Sequence, residues 1–337
     1  MNVLEEDIYK LSSGEVIPWE LLRNRRILVT GATGLIGSLI VRALAQASEL
    51  RSLNLRISAL VRSRSKGQLV LPAGTELIEG DIEHPLLLDG GVDYIVHAAC
   101  PTASEYFVSH PAETRRAIVE GTSNVIVLAE GKRARMVYLS SMEVYGKCET
   151  EEVDEVSLGW LDSASPRNSY PIGKRVAEQL CKDAAMRGVD VSVARPVQTF
   201  GAGISPSENR VFAQFARAVI DGADIELKTD GTKAHCFCYT TDCVAGILCV
   251  LLKGEKGEVY NISNENTFCT IREMAEGLVG KDRVRIKLSP GIYPPSTRMR
   301  VSSKKLRKLG WKPTVDLEEM YARLIRWMRL MQESQAS

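Results

Sequence analysis

A tyrosine and a lysine four residues apart, Tyr170 and Lys174, are the residues of this sequence best suited to acid/base chemistry. In a helix, side chains at this spacing share one face, and Pro171 fits the first turn of such a helix. Free tyrosine has a pKa of about 10, too high for a base at neutral pH. A neighbouring ammonium and an oxidised nicotinamide would lower that pKa. We therefore expect Tyr170 to remove a hydroxyl proton while hydride leaves the same carbon.

Three glycines, Gly31, Gly34 and Gly37, follow a predicted buried strand and open a predicted helix over 35–50. The spacing is GxxGxxG rather than GxGxxG. The first glycine permits a tight turn, the second lets the backbone approach a pyrophosphate, and the third allows close packing of helix on strand. The helix N-terminus adds amide donors for phosphate. This strand–turn–helix context predicts a dinucleotide site, and together with Tyr170 and Lys174 it predicts a nicotinamide-dependent enzyme.

The end of the second predicted strand bears on the choice between NAD and NADP. An acidic residue there would hold the ribose 2′-hydroxyl of NAD, but the strand ends in Val61-Arg62-Ser63-Arg64. Arg62 and Arg64 could face a 2′-phosphate, or they could be solvated loop arginines. We expect NAD or NADP, with a slight preference for NADP.

Strands and helices alternate along most of the chain, which predicts an α/β fold with a Rossmann-type, doubly wound parallel sheet. The predicted strands are 26–30, 55–61, 76–81, 92–97, 136–140, 189–195 and 258–262. Ser141 follows the fifth of these, at the sheet edge where such folds bind ligands, so its hydroxyl is placed to bond the reacting oxygen.

Three regions are predicted beyond this alternation. Residues 1–24 form an N-terminal extension that could hold a short helix packed on the body. Residues 25–200 plus 238–265 form the dinucleotide-binding domain. Residues 201–237 plus 266–337 form a smaller C-terminal substrate-binding lobe, whose last helix begins near Asp316 with Glu319 three residues on.

Composition excludes several other classes of protein. The 337 residues carry a formal net charge of +1, so no basic field for nucleic acid is expected. The N-terminus has no apolar signal core and no apolar run reaches membrane-spanning length. Eight scattered cysteines without a CxxC indicate reduced thiols in a cytoplasmic protein. In the run 235–238, an extended backbone would turn His235 away from Cys236 and Cys238, so no metal site is expected.

At these motifs the chain resembles the extended short-chain dehydrogenase/reductase family, of the nucleotide-sugar epimerase/dehydratase type. The resemblance spans about residues 25–330. It rests on TGATGLIG (30–37), GDI (80–82), HAA (97–99), LSSMEVYG (139–146), YPIGK (170–174), ARPVQTFG (194–201) and LGWKP (309–313). Residues 173–178 look particularly like the UDP-glucuronate decarboxylase branch. The resemblance implies a tightly bound nicotinamide that oxidises a sugar carbon, commonly C4, and later returns the hydride.

The resemblance also implies roles for individual residues. Ser141, Tyr170 and Lys174 would be catalytic, and Glu143 would be either a second base beside the transient ketone or a structural cap. The expected cofactor contacts are Gly31, Thr33, Gly34, Leu35, Ile36, Gly37, Arg62, Asp81, Ile82, His97, Ala98, Ala99, Tyr170, Lys174 and Pro196. The expected contacts with a nucleotide-diphosphate sugar are Ser141, Met142, Gln198, Arg210 and His235.

Departures from the family pattern bear on the reaction. The 4,6-dehydratases carry an aspartate where Met142 stands, and a thioether cannot supply its proton. Decarboxylases carry serine there and an arginine where His235 stands. Simple 4-epimerases need only Ser141, Tyr170 and Lys174, so an epimerase is the leading interpretation. The alternatives are a decarboxylase or 4,6-dehydratase, an NADPH-dependent reductase, and a non-catalytic nucleotide-sensing scaffold.

The resemblance further implies a homodimer. Family members often pair through helices near 104–130 and 170–187. The apolar residues Ile118, Val125 and Leu128 fit such an interface, and they fit packing on the sheet equally well.

Overall fold

The computed structural model describes residues 1–288 and 297–336. Residues 289–296 and 337, which the sequence analysis assigned to the substrate-binding lobe, lie outside the described residues. The strands are β1 Arg26–Thr30, β2 Arg56–Val61, β3 Glu76–Glu79, β4 Tyr94–His97, β5 Arg135–Leu139, β6 Glu152–Val153, β7 Val191–Pro196, β8 Gln198–Phe200, β9 Ile225–Leu227, β10 Ala234–Tyr239, β11 Val259–Ile262, β12 Asn264–Thr270, β13 Val284–Ile286 and β14 Arg298–Val301.

Helices connect and cover these strands. They are α1 Val3–Ser13, α2 Leu35–Leu50, α3 Arg64–Val70, α4 Ser104–Ser109, α5 Pro111–Lys132, α6 Ser169–Met186, α7 Val211–Ile220, α8 Thr240–Lys253, α9 Ile271–Val279, α10 Lys304–Arg307 and α11 Leu317–Ala336. Short 3₁₀ turns stand at Trp19–Leu22, Met142–Tyr145, Pro166–Asn168 and Lys281–Arg283. No helix among residues 1–288 and 297–336 combines the length and the apolar character needed to cross a bilayer.

The main sheet has seven strands in the order β11-β7-β5-β4-β1-β2-β3, and every neighbouring pair is parallel. The predicted doubly wound α/β fold is confirmed. The sequence predicted this fold because both faces of the central strands are covered. Residues 27–30 of β1 and 95–97 of β4 are all buried. Strand order reverses at β1, which leaves a crevice at the carboxyl ends of β1 and β4.

A second sheet, in the order β12-β10-β14-β6, lies beyond this edge, and β8 joins it by pairing with β10. The chain passes from β7 in the main sheet to β8 in the second sheet through Val197 alone. Pro196 and Gln198 therefore stand on either side of the junction between the two sheets. The proposed cofactor and substrate residues of this segment meet at one place for that reason.

The N-terminal helix α1 packs on α2 and contacts α11. Its buried Asp7 accepts a hydrogen bond from the Tyr239 hydroxyl and pairs with Arg323 of α11 at 2.6 Å. Burial raises the pKa of Asp7, although both partners act to lower it. The predicted helix in the extension is thus present, and it links the glycine-turn helix to the last helix of the chain.

Candidate active site

A cleft of about 1220 Å³ opens at the carboxyl ends of the main-sheet strands. It is lined by the predicted cofactor residues after β1, β2, β3 and β4, by Ser141 to Glu143 after β5, and by Tyr170 and Lys174 of α6. Pro196, Gln198, Arg210 and His235 complete its far side. Among the predicted site residues within the described chain, His97 is the one that does not line the cleft.

The glycine turn has the geometry required to cradle a pyrophosphate. Gly31 has φ of +67°, and a Cβ there would lie 2.7 Å from the backbone of Ala98 and Ala99. A Cβ on Gly37 would lie 2.2 Å from the Gly31 carbonyl oxygen, so the helix can approach the strand only without one. Gly34 caps α2 with no side-chain hydrogen bond. The first-turn amides of α2 consequently remain available for phosphate, and these residues fit a dinucleotide.

The adenosine end of the cleft carries cations. Arg62 and Lys66 both line it, together with Asp81 and Glu83 after β3. Arg64, the second arginine expected to face a 2′-phosphate, does not line the cleft. Its guanidinium donates to the carbonyl oxygen of Leu77 at 3.0 Å, because α3 turns it toward β3.

His97 has a structural position beneath the cofactor turn. It is 1% exposed, and its ring nitrogens lie 2.8 Å from Thr30 Oγ1 and 3.2 Å from Thr122 Oγ1. Burial, with Lys174 adding a smaller effect, lowers its pKa to about 3. A neutral His97 therefore ties β4 to β1 and α5, directly before Ala98 and Ala99, which line the cleft.

Tyr170 is buried at the base of the cleft, with its ring stacked on Phe107 at 4.5 Å and 7°. Its pKa is raised well above that of free tyrosine, first by burial and then by Cys100 and Glu143, whereas a hydrogen bond with Ser141 and the charge of Arg167 lower it. We expected Lys174 to lower the pKa of Tyr170, but burial raises that pKa instead.

Lys174 is 2% exposed and directs its ammonium toward the end of β5. Its Nζ donates to the carbonyl oxygen of Leu139 at 2.6 Å and lies 4.7 Å from the centre of the Tyr138 ring. The Tyr170 ring centre is farther away, at 5.7 Å. Two contacts on β5 therefore fix the ammonium beside Tyr170 at the point where that strand opens into the cleft.

Glu143 stands in the 3₁₀ turn that follows β5, and its backbone N–H donates to Ser141 Oγ at 3.2 Å. Arg167 donates to both of its carboxylate oxygens, at 3.0 and 2.8 Å. The Arg167 guanidinium also lies 5.1 Å from the centre of the Phe107 ring. We call Glu143 and Arg167 the cleft pair. Both side chains are more than a third exposed, at 37% and 36%.

On the substrate side, His235 and Gln198 are bonded to each other. His235 Nε2 donates to Gln198 Oε1 at 2.8 Å, and burial, then Lys233, lowers the pKa of His235 to about 3. His235 is therefore neutral, unlike the arginine it replaces. Its Nδ1 has no hydrogen-bond partner among the residues described here. Positive charge in this part of the cleft comes from Lys233 and from Arg210, which Glu208 holds at 2.6 Å.

A buried network fixes the catalytic helix from below. Arg195 of β7 contacts both carboxylate oxygens of Glu178 on α6, at 2.8 and 2.6 Å, and both side chains are 11% exposed. We call these two residues the frame pair. Arg195 also donates to the Tyr145 hydroxyl at 3.0 Å, and Tyr145 donates to Asn261 at 2.6 Å. The turn bearing Glu143 is thereby fastened to the helix bearing Tyr170.

Arg167 and Phe107 are two of the site residues that the sequence analysis missed. Arg167 precedes Tyr170 by three residues, which is a helical spacing that could have indicated a shared face. Phe107 lies in the short helix α4, 63 positions before Tyr170 in the numbering, and no spacing signal connects the two residues. The run 235–238 is extended as expected, and Cys236 and Cys238 are fully buried.

Comparison with known proteins places this geometry in a family. The model of the NAD dependent epimerase/dehydratase family matches residues 27–263. UDP-glucuronic acid decarboxylase 6 of Arabidopsis thaliana is 33% identical over 304 residues, which cover 88% of this chain and 86% of the relative. UDP-glucuronic acid decarboxylase 1 of Danio rerio is 30% identical over 319 residues, covering 93% and 75%.

Solved structures show the same fold. A dTDP-glucose 4,6-dehydratase from Streptomyces venezuelae with NAD bound has a TM-score of 0.75 at 25% identity, covering 92% of this chain and 98% of its own. A UDP-glucose 4-epimerase from Thermotoga maritima with UDP-glucose has a TM-score of 0.75 at 22% identity, covering 91% and 99%.

Proposed function

The chain belongs to the NAD dependent epimerase/dehydratase family, and from this premise we propose that it decarboxylates a UDP-linked uronic acid of the glucuronate type. The sequence analysis placed an epimerase first and a decarboxylase among the alternatives. The names of the curated relatives now favour that alternative. The observation that carries the proposal is Glu143, which lines the cleft in the turn after Ser141 and close enough to raise the pKa of Tyr170.

The residues divide the proposed reaction between them. A nicotinamide held by the glycine turn would supply the hydride chemistry at C4 of the sugar, accepting the hydride and returning it. Tyr170 takes the C4 hydroxyl proton, and Ser141 donates a hydrogen bond to the same oxygen. The resulting ketone is β to the carboxylate, so carbon dioxide leaves with the C5–C6 electrons passing to the C4 oxygen, where Tyr170 and Ser141 stabilise the charge.

The proton that replaces carbon dioxide at C5 comes from solvent water that Glu143 positions at the cleft wall, because Arg167 already bonds both oxygens of that carboxylate. Glu143 lines the cleft in the turn that also carries Ser141. Hydride returned to C4 and a proton returned from Tyr170 regenerate the hydroxyl, so the sugar loses carbon dioxide and gains one proton overall. The reaction is redox-neutral, which agrees with a tightly held nicotinamide.

A second candidate, an epimerase, is favoured by the cleft's substrate side. His235 is neutral and bonded to Gln198, whereas the decarboxylase pattern has an arginine there. Met142 likewise replaces a serine. A sugar without a carboxylate would lose no binding energy at these two positions. Nδ1 of His235 could accept a hydrogen bond from a sugar hydroxyl.

Product mass separates the two candidates. The purified protein is incubated with UDP-glucuronate and, separately, with UDP-glucose, with and without added NAD or NADPH. Loss of carbon dioxide from UDP-glucuronate supports the proposal, and Tyr170→Phe in parallel shows that the active site is responsible. An unchanged mass with altered chromatographic mobility would establish the epimerase instead. A gain of two hydrogens that needs NADPH would establish the reductase.

We further propose that NADP is preferred over NAD, because Arg62 and Lys66 line the adenosine end of the cleft. A charge-assisted bond to a 2′-phosphate is worth about 1.5–3 kcal/mol. Arg62→Asp is therefore expected to shift the ratio of the two dissociation constants roughly tenfold or more toward NAD, measured by calorimetry. Arg64→Asp is the matched control, because Arg64 is bonded to Leu77, and an equal shift in that variant would contradict the assignment.

The division of the chain at residues 200, 237 and 265 stays a proposal, as does a homodimer. Ile118, Val125 and Leu128 are buried within the single chain, so they cannot themselves form the interface. Exposed Val127 and Val176, on α5 and α6, are the apolar residues that a partner would cover. Sedimentation of wild-type protein and Val127→Glu tests this surface.

A further inference from the structure

Arg167 contacts two residues that lie near Tyr170, namely Glu143 and Phe107. It holds both oxygens of Glu143, at 3.0 and 2.8 Å. Its guanidinium also covers one face of Phe107 at 5.1 Å, and the Phe107 ring stacks on Tyr170 at 4.5 Å. Phe107 is 1% exposed. Arg167 and Tyr170 therefore both contact the Phe107 ring, which connects a cation with the expected base.

The cleft pair places opposite charges near one hydroxyl. The groups that face Tyr170 come from several elements: Cys100 after β4, Tyr138 of β5, Ser141 and Glu143 of the following turn, Arg167 before α6 and Lys174 of α6 itself. Within this set Glu143 raises the pKa of Tyr170 and Arg167 lowers it. The two effects oppose each other because a negative charge disfavours the phenolate and a positive charge favours it.

We propose that Arg167 is a positioning residue for the reaction at Tyr170: it fixes the Glu143 carboxylate on the cleft wall and offsets that carboxylate's charge where the phenol must ionise. The inference rests on the proposed function in taking Tyr170 as the base. It explains why a carboxylate stands beside a tyrosine that has to become an anion. An unpaired Glu143 would oppose that ionisation more strongly, whereas in the bonded pair Arg167 offsets part of the effect of the carboxylate on the pKa of Tyr170.

Three variants test the proposal: Arg167→Met, Glu143→Gln and the double variant. Methionine keeps an apolar stem over Phe107 while removing the charge. With NAD bound, the pH dependence of nicotinamide reduction by the sugar nucleotide is recorded for each. Arg167→Met should shift the midpoint to higher pH and Glu143→Gln to lower pH. The double variant should lie between them, close to wild type.

The second readout needs no sugar. In NAD-loaded protein made with isotope-labelled tyrosine, the NMR signal missing from Tyr170→Phe identifies Tyr170, and its chemical shift is followed with pH in the same variants. Opposite displacements for Arg167→Met and Glu143→Gln support the inference. Displacements in the same direction, or none for Arg167→Met, would overturn it.

The controls separate failure of this inference from failure of the proposed function. Arg272→Met breaks an exposed pair with Glu276 on α9 and should leave both readouts unchanged. Opposite NMR displacements without turnover of any nucleotide sugar would uphold the positioning role and refute the proposed function. Turnover of a nucleotide sugar without any NMR displacement would refute the positioning role and uphold the proposed function. Unfolding curves for every variant confirm that the cleft is folded.

Discussion

Two arginine–glutamate pairs in this protein each join a guanidinium to both oxygens of a carboxylate, in very different surroundings. In the frame pair, Arg195 and Glu178 are each 11% exposed and join β7 to α6. In the cleft pair, Arg167 and Glu143 are 36% and 37% exposed and join two turns at the cleft wall. Both guanidinium groups contact both oxygens of their carboxylate. Arg195 uses two nitrogens, Nε and Nη2, and Arg167 uses Nη2 alone, so the pairs differ in bond geometry as well as in burial.

The difference indicates what each pair contributes. Removing one partner of a buried pair leaves an uncompensated charge, which is costly. Water screens an exposed pair and makes its loss nearly neutral for stability. We therefore expect changes in the frame to affect the free energy of unfolding, and changes at the cleft wall to affect the reaction.

The largest effect on the reaction is expected from Tyr170→Phe. Loss of the base should lower the rate of hydride transfer by about 10²- to 10⁴-fold, measured as nicotinamide absorbance in a single turnover, with little change in unfolding. Tyr138→Phe is the matched control. Its hydroxyl is buried without a hydrogen-bond partner in the described part of the chain, so its removal should spare the rate. A fast Tyr170→Phe enzyme would remove Tyr170 from the mechanism.

The largest effect on stability is expected from Arg195→Met. Buried Glu178 would keep its charge without a partner, at a cost of about 3–5 kcal/mol in the free energy of unfolding. Denaturant unfolding measures the loss. Adding Glu178→Gln should restore part of it, because the second change removes the unpaired charge. If the single variant lost less than about 1 kcal/mol, burial would not be the distinguishing factor.

A pH effect of intermediate size is expected from two buried histidines, one beneath the cofactor turn and one in the cleft. Burial lowers the pKa of His97 and of His235 from 6.5 to about 3. The unfolded chain therefore binds protons that the folded chain cannot, and stability should fall as pH drops from about 6.5 toward 3. His97→Gln and His235→Gln should each flatten this decline in acid unfolding curves. A decline as steep as that of the wild type in both would show that other groups cause it.

The smallest effect is expected from Arg167→Met on stability. Because the cleft pair is exposed by more than a third, its loss should change the free energy of unfolding by no more than about 1 kcal/mol. The comparison with Arg195→Met under identical denaturant conditions is the sharpest check of the contrast. Similar losses in the two variants would mean that Arg167 belongs to the frame.

The sequence predicted the framework well because the framework depends on local patterns. The strand 26–30 and the helix 35–50 agree with β1 and α2 residue for residue, since a buried apolar run, a glycine turn and an amphipathic helix are all readable in order. The three glycines also have the close contacts expected of them.

The site itself was only partly predictable. Arg167 meets Glu143 across 24 residues, and Phe107 meets Tyr170 from a separate helix. Neither contact has a sequence period, because loops and turns bring the residues together. The raised pKa of Tyr170 was also not foreseen. Charge could be counted from the sequence, but the burial that dominates the shift depends on tertiary packing.

The bond between Asp7 and Arg323 has a consequence for how the chain is made. The two residues are 316 positions apart, so a ribosome completes nearly the whole of this chain before Asp7 can meet its counter-charge. Until then, a carboxylate destined for the interior must stay hydrated, and α1 cannot settle fully on α2. Contacts of such long range slow folding. Docking of α1 should therefore be a late folding event, visible as a slow phase that Asp7→Asn shortens in refolding.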